Sequence, residues 1–146
     1  MKKIVSLMAL YVVLFGTVMT VTGCGNKPNK DSVWETTKQN GVTVPSDKVQ
    51  YWCFHSDGNV YQAFKLGGNE VFRKAGKYEI YDKLKKIAII TTYTYGGQTQ
   101  ENTTAYDYTI TGDKLTLKLP YEAGATSYEM KKSKKYNASD MKAKAK

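Results

Sequence analysis

The sequence predicts an all-β domain, folded as a single antiparallel up-and-down barrel of about eight strands. From Val33 onward, apolar residues recur at every second position, which is the period of a strand with one buried face. β-branched and aromatic residues dominate these stretches, and no apolar pattern of helical period accompanies them. Short turns rich in Gly, Asp and Asn separate the stretches, so successive strands are expected to pair antiparallel.

The strands can be assigned in order along the chain. Eight or nine antiparallel strands close most naturally into a barrel, because closure leaves no exposed sheet edge. The predicted strands are residues 33–38, 49–55, 60–66, 70–74, 77–81, 85–95, 104–111, 115–119 and 127–132.

The turn at Asp57-Gly58 decides which side chains enter the barrel. A two-residue turn pairs His55 with Val60, whereas a three-residue turn with a glycine bulge pairs Phe54 with Val60. The two registers send opposite sets of side chains inward. We expect the bulged register, because it places the larger aromatic set inside. It puts Trp52, Phe54, Val60 and Phe64 on the interior face, and Cys53 and Tyr61 outside.

The aromatic content of the strands bears on what fills the barrel. The chain has 12 Tyr, 4 Phe and 2 Trp, and Tyr suits partly wet cavities and interfaces because it joins an apolar ring to a hydroxyl. A barrel of this size is either filled by its own side chains or holds one small ligand. For a cavity, the lining residues are expected to be Trp34, Trp52, Phe54, Phe64, Tyr78, Ile89, Tyr93 and Tyr108.

The N-terminus carries the pattern of an export signal. Met1-Lys2-Lys3 is basic, an apolar run follows from Ile4, and small residues precede Cys24 and a polar stretch. Such a segment is removed from the mature protein and is excluded from fold reasoning. The alternative is an uncleaved membrane helix, because the apolar run is about 18 residues long and a bilayer core needs roughly 20.

The four residues Val21-Thr22-Gly23-Cys24 resemble the recognition box of bacterial lipoprotein precursors. The resemblance implies that a diacylglycerol, with acyl chains such as palmitate, is attached to the Cys24 sulfur. It also implies that residues 1–23 are the signal peptide, and that lipid at Cys24 anchors the exported protein to the bacterial cell membrane, within the cell envelope. Residues 24–31 contain Gly and Pro without apolar period, and are expected to tether the domain at residues 32–132.

Three local patterns in the strand region point to a family. They are Trp34 in the first strand, the sequence Phe54-His55-Ser56-Asp57-Gly58-Asn59-Val60, and Gly76-Lys77-Tyr78-Glu79-Ile80 ahead of a long strand. In these patterns, residues 33–132 resemble the small lipocalin-like domains of bacterial lipoproteins.

The sequence offers no catalytic or metal-binding pattern. Cys53 and His55 share one strand face, with Cα atoms roughly 6.5 Å apart. A nucleophile, however, needs a base within hydrogen-bond reach and a third orienting group, and the chain has a single His. One Cys and one His also fall short of the ligands that zinc requires. We therefore expect no enzyme activity, no metal and no cofactor.

The formal net charge of +9 is concentrated at the two ends of the chain. Lys2 and Lys3 belong to the signal, and many of the other lysines lie at the C-terminal end of the chain. The strand region is therefore nearly neutral. A tail of this kind at residues 133–146 is expected to be disordered. It either keeps the protein soluble or contacts anionic head groups or wall polymers. Nucleic acid is not expected as a partner of an exported protein.

Two functions of different class follow. The first is a membrane-anchored module that binds a small apolar or amphipathic ligand in its barrel. The second is an interaction module with a filled barrel, whose loops or outer tyrosines engage a protein or cell-wall partner.

Overall fold

The structure, a computed structural model, describes residues 27–120 and 126–145. Within these residues, eight strands form a closed antiparallel barrel, because β1 (Ser32–Gln39) pairs with both β3 (Tyr51–Phe54) and β9 (Ser127–Lys132). A further short strand, β2 (Val42–Thr43), forms a hairpin with the end of β1. The predicted all-β, up-and-down barrel is confirmed. The predicted signal peptide and Cys24 lie outside the described residues.

The remaining strands each pair with the next one along the chain. A turn of 3-10 helix, Asp82–Leu84, joins the strand that ends at Tyr81 to the strand that begins at Lys86. One short helix, α1 (Ala138–Lys144), follows β9. In the described part of the chain, neither helix is long or apolar enough to cross a bilayer. The strands are β4 (Asn59–Leu66), β5 (Asn69–Tyr81), β6 (Lys86–Tyr95), β7 (Gln98–Thr111) and β8 (Lys114–Lys118).

Strand β5 merges two strands that the sequence predicts separately. Val60 of β4 pairs with Gly76, whereas the next residue, Tyr61, pairs with Lys74, so Ala75 is the extra residue of a β-bulge. A Cβ atom at Gly76 would overlap the backbone carbonyl of Ile90, so glycine permits β6 to approach at this point. A glycine inside a strand suggests a break from sequence alone, but here it marks a bend in a continuous strand.

The β3–β4 turn has the predicted register, since Phe54 pairs with Val60 and Cys53 with Tyr61. Gly58 adopts φ 84°, the left-handed conformation that the bulged turn requires. Phe54 and Val60 are consequently inside the barrel and fully buried. We call the buried set around them the interior cluster: Trp34, Trp52, Phe54, Val60, Ile87, Ile89, Tyr108, Leu115, Leu117 and Met130.

The lysine-rich tail is not a disordered segment over its whole length, contrary to the sequence-based expectation. Residues Ala138–Lys144 form α1, whose first turn is capped by the Asn137 side chain accepting a hydrogen bond from the Asp140 backbone N–H. Ala138 and Met141 lie three residues apart on one helix face and are buried against the barrel wall. The high lysine content of the tail predicts disorder, and the apolar face of α1 is too short to stand out from it in the sequence.

Helix α1 packs on the outer side of β4 and β5, and its buried residues join Cys53 of β3 in one cluster. Cys53 and Tyr61 point away from the barrel interior, as predicted, yet only 0% and 5% of their surfaces are exposed. We call this second buried set the outer cluster; its members are Val33, Cys53, Tyr61, Ala63, Ala138 and Met141.

The last residues of the predicted tether pack onto the barrel. Pro28 is fully buried, and the Asp31 backbone N–H donates a 2.8 Å hydrogen bond to the Phe54 carbonyl. The chain is therefore fixed to the barrel from about Pro28 onward, at the end that holds the β3–β4 turn.

Candidate ligand-binding site

Most residues predicted to line a cavity instead pack against one another at one end of the barrel. Trp34 and Phe54 are fully buried in the interior cluster. Tyr78 packs against this cluster, with its ring edge-on to Phe54 at a centroid distance of 5.3 Å. Ile89 and Tyr108 are also buried there, whereas Trp52 belongs to the same cluster on the side nearest the pocket residue Gln50, to which it is hydrogen-bonded. We call this the filled end, because side chains of the protein occupy it.

Polar atoms at the filled end are satisfied by the protein itself. The Tyr108 hydroxyl donates a hydrogen bond of 2.8 Å to Asp82, and the Tyr78 hydroxyl donates one of 2.9 Å to the His55 carbonyl. Burial, reinforced by Asp82, raises the pKa of Tyr108 well above its usual range. Among the described residues, no buried side-chain nitrogen or oxygen lacks a partner. Among the described residues, the filled end therefore has no buried side-chain polar atom left without a partner.

The opposite end, which we call the mouth, has a more polar inner face. Gln62 follows Val60 by two residues on β4, so the two side chains point to the same side of the strand. Only 6% of Gln62 is exposed. The Trp52 ring lies next to Tyr128, with 5.4 Å between ring centroids. The inner surface thus changes from apolar at the filled end to a mixture of amide groups and aromatic rings at the mouth.

A pocket of about 520 Å³ opens at the mouth, between the loop that contains β2 and the end of β4. Its volume lies in the range of small-molecule sites, about 300–1,000 Å³. The loop is held by a 2.9 Å hydrogen bond from the Val44 backbone N–H to the Thr37 carbonyl. Apolar walls come from Val42, Val44, Pro45 and Phe64, and polar groups from Gln50, Lys48 and Lys65 among others.

Phe64 connects this pocket to a polar pair inside the mouth. Its ring lies 5.1 Å from the guanidinium carbon of Arg73, a cation–π contact. Arg73 donates two hydrogen bonds, from Nε and Nη2, to Oε1 of Gln62, at 2.9 and 2.7 Å. The sequence-based prediction identified Phe64 but missed Gln62 and Arg73. Alternation from Val60 places Gln62 inside, and the two-residue turn at Gly67-Gly68, which pairs Leu66 with Asn69, places Arg73 opposite Gln62.

Tyr93 does not belong to this site, so its predicted place in the barrel interior is wrong. Among the described residues, β5 pairs with β6 only as far as Lys77 with Ile90, and β8 pairs with β7 only from Asp107 onward. Residues 91–102 therefore project beyond the barrel wall as a two-stranded ribbon, which we call the β6–β7 ribbon. Half of Tyr93 and 80% of Tyr95 are exposed there.

Cys53 and His55 do not form a reactive pair. Burial raises the pKa of the Cys53 thiol to about 12, with Asp31 and Asp57 adding to the effect, so the thiol is neutral at pH 7. His55 Nδ1 accepts a 3.0 Å hydrogen bond from the Asp57 backbone N–H. In the ranges that the structure describes, no three His, Cys, Asp or Glu side chains are grouped to hold a metal ion.

Fold and site together define a small closed β-barrel with one packed end and a pocket at the other. Comparison with protein-family models, with curated proteins and with solved structures finds no match to this chain. Its function is therefore proposed from its sequence and its site.

Proposed function

We propose that this protein is an exported lipoprotein, anchored to the bacterial cell membrane through Cys24, whose barrel binds one small amphipathic molecule at its mouth. The observation that carries the binding proposal is the pocket of about 520 Å³ beside Phe64. Its apolar walls favour a ligand with an apolar part, since burying apolar surface contributes about 25 cal/mol per Å². Its amide and ammonium groups favour a polar part on the same ligand.

The ligand is placed at the mouth because the filled end is occupied. Trp34, Phe54 and Leu117 have no exposed surface, and opening a space among them would forfeit close packing. A small molecule at the mouth displaces none of these side chains.

The anchor and the mouth would lie at opposite ends of the barrel. The chain meets the barrel at the filled end, near Pro28 and Asp31. The residues between Cys24 and Pro28 span at most roughly 14 Å. A lipidated Cys24 would hold the filled end near the membrane, leaving the mouth directed away from it and open to molecules in the envelope.

Native mass spectrometry tests the binding proposal. The full-length protein, extracted from bacterial membranes in polymer discs without detergent, is expected to carry a small molecule that denaturing extraction releases. Phe64→Ala should reduce the bound fraction, whereas Tyr95→Ala, on the exposed ribbon, should not. Repeated recovery of the bare wild-type polypeptide would contradict ligand binding.

The intact mass in the same experiment tests the anchor. The mature protein should lack residues 1–23 and carry a diacylglycerol, and Cys24→Ser should release it from the membrane or leave the precursor unprocessed. A mature membrane protein that retains residues 1–23 without lipid would instead support the uncleaved helix.

A second candidate function is the interaction module, which the β6–β7 ribbon favours. Exposed tyrosines are common at the centre of protein interfaces, and Tyr93 and Tyr95 project from the barrel. A photo-crosslinker at position 95 in living cells should capture one specific partner if the ribbon is an interface. Crosslinks no more abundant than from exposed position 84 would contradict it.

Contact of the lysine-rich C-terminus with an anionic surface also remains a proposal. Two of these lysines already pair with acidic side chains, Lys135 with Glu70 at 3.4 Å and Lys142 with Asp57 at 3.2 Å. Flotation with anionic vesicles, compared with neutral ones, would test whether the others bind head groups.

A further inference from the structure

The only arginine of the chain lies on the inner face of the barrel. Of 22 Lys and Arg residues, all are lysine except Arg73. Arg73 pairs across the sheet with Gln62, which shares its strand face with the buried Val60. We infer that Arg73 binds the acidic head group, a carboxylate or a phosphate, of the amphipathic ligand. This inference rests on the proposed function and names the chemical class of its ligand.

The Arg73 guanidinium is held in place by contacts that leave some of its N–H donors without an acceptor. Gln62 Oε1 accepts from Nε and Nη2, and the Phe64 ring lies against the guanidinium. Because a guanidinium has five N–H donors, the Nη1 hydrogens and the second Nη2 hydrogen face no described acceptor. Among the described residues, no carboxylate lies within ion-pair distance of Arg73, although seven lysines pair with carboxylates.

An arginine supplies a property that the many lysines cannot. Its rigid, planar fork of N–H groups matches carboxylate and phosphate oxygens two at a time, whereas a lysine is a flexible point charge. A general positive charge at the mouth is already provided by Lys48 and Lys65 at the pocket. The fork at Arg73 adds recognition of a particular group.

A ligand can reach Arg73 from solvent. Beyond Lys77 and Ile90, β5 no longer pairs with β6, so the barrel wall opens beside the β5 segment that carries Arg73. Arg73 is exposed in spite of its inward position. Since Phe64 both lines the pocket and contacts the guanidinium, an apolar chain in the pocket would place its head group within reach of Arg73.

Titration of short-chain probes tests this inference. The full-length protein in phosphatidylcholine nanodiscs is titrated with octanoate, octyl phosphate and 1-octanol, and empty discs correct for partition into the bilayer. Arg73→Gln should weaken the affinity for octanoate or octyl phosphate by at least about tenfold, because it removes charge-assisted hydrogen bonds. It should leave 1-octanol affinity unchanged. Arg73→Lys should recover only part of the loss, because it restores charge but not the fork.

Lys74→Gln is the matched control. It removes the same charge from the next residue, which pairs with Tyr61 and therefore faces outward. Octanoate affinity unchanged by Arg73→Gln, or lowered equally by Lys74→Gln, would overturn the inference. An equal loss for 1-octanol would also overturn it, since Arg73 would then only maintain the pocket. If the wild type binds all three probes equally, the head-group inference fails while the proposed function stands; if it binds none, the proposed function fails too.

A soluble short-chain phosphatidylglycerol, added as a competitor to the same titration, separates two sources of the acidic group. A lipid head group that occupies Arg73 would compete and weaken octanoate binding in the wild type but not in Arg73→Gln. A head group from a free molecule predicts the same octanoate affinity with and without the added lipid.

Discussion

Met141 of α1 and Cys53 of β3 lie in one buried cluster, and neither has any exposed surface. The C-terminal helix is therefore part of the fold, since it closes the outer side of the barrel wall over a thiol.

Met141→Ala should destabilise the protein and uncover that thiol. Truncating a buried Met costs about 2–5 kcal/mol, so chemical denaturation should show a loss of this size. Cys53 should also react faster with Ellman's reagent in the native protein, measured in Cys24→Ser so that one thiol remains. Lys134→Ala, an exposed change in the same tail, is the control. Equal thiol reactivity in both variants would contradict a covering role for α1.

Alkaline conditions should weaken the outer cluster. Burial raises the pKa of Cys53 from 9.0 to about 12, and burial and the hydrogen bond to Asp57 raise that of Tyr61 from 10.0 to about 12. Because both folded-state pKa values exceed the unfolded ones, the stability they contribute is complete below about pH 9 and is lost as the pH rises towards 12. The free energy of unfolding should fall across this window, and less steeply in Cys53→Ala or Tyr61→Phe. An identical slope in both variants and the wild type would refute this cause.

Gly76→Ala should lower the free energy of unfolding more than Gly97→Ala, a substitution at a turn glycine. A Cβ atom at Gly76 would overlap the Ile90 carbonyl, whereas one at Gly97 would meet nothing within 4 Å. Both glycines have positive φ values, 155° and 78°, so both variants carry backbone strain, and only Gly76→Ala adds the steric clash. Overpacking of this kind costs about 1–3 kcal/mol. Equal unfolding free energies for the two variants would show that β6 does not approach β5 at the bulge.

Alanine substitutions at Phe54 and Tyr93 should differ sharply in their effect on the free energy of unfolding. The sequence nevertheless predicts that both residues line the cavity. Phe54→Ala should cost about 3–5 kcal/mol, because it opens a cavity in the interior cluster. Tyr93→Ala should change stability by less than about 0.5 kcal/mol, because the ribbon is exposed. Comparable losses in thermal or chemical denaturation would contradict a projecting ribbon.

The sequence predicted the fold better than the site. Alternating apolar residues locate the strands, and the Asp57-Gly58 turn correctly gives the pairing of Phe54 with Val60. Alternation indicates which face of a strand a residue lies on, but not how far the strand extends past its neighbours, so alternation alone assigns Tyr93 to the barrel interior. The pairing of Arg73 with Gln62 follows from the two-residue turn at Gly67-Gly68, but a search for alternating apolar residues passes over this polar pair.

The two tryptophans provide the most direct test of a ligand at the mouth. The Trp52 indole N–H donates a 3.4 Å hydrogen bond to Gln50, a pocket residue. The Trp34 indole N–H donates one of 2.8 Å to Ser32, at the filled end. In an NMR titration of the nitrogen-15-labelled protein with octanoate, the Trp52 indole signal should shift and saturate while the Trp34 signal stays in place. A shift of Trp34 equal to that of Trp52, or no shift of either, would contradict a ligand site at the mouth.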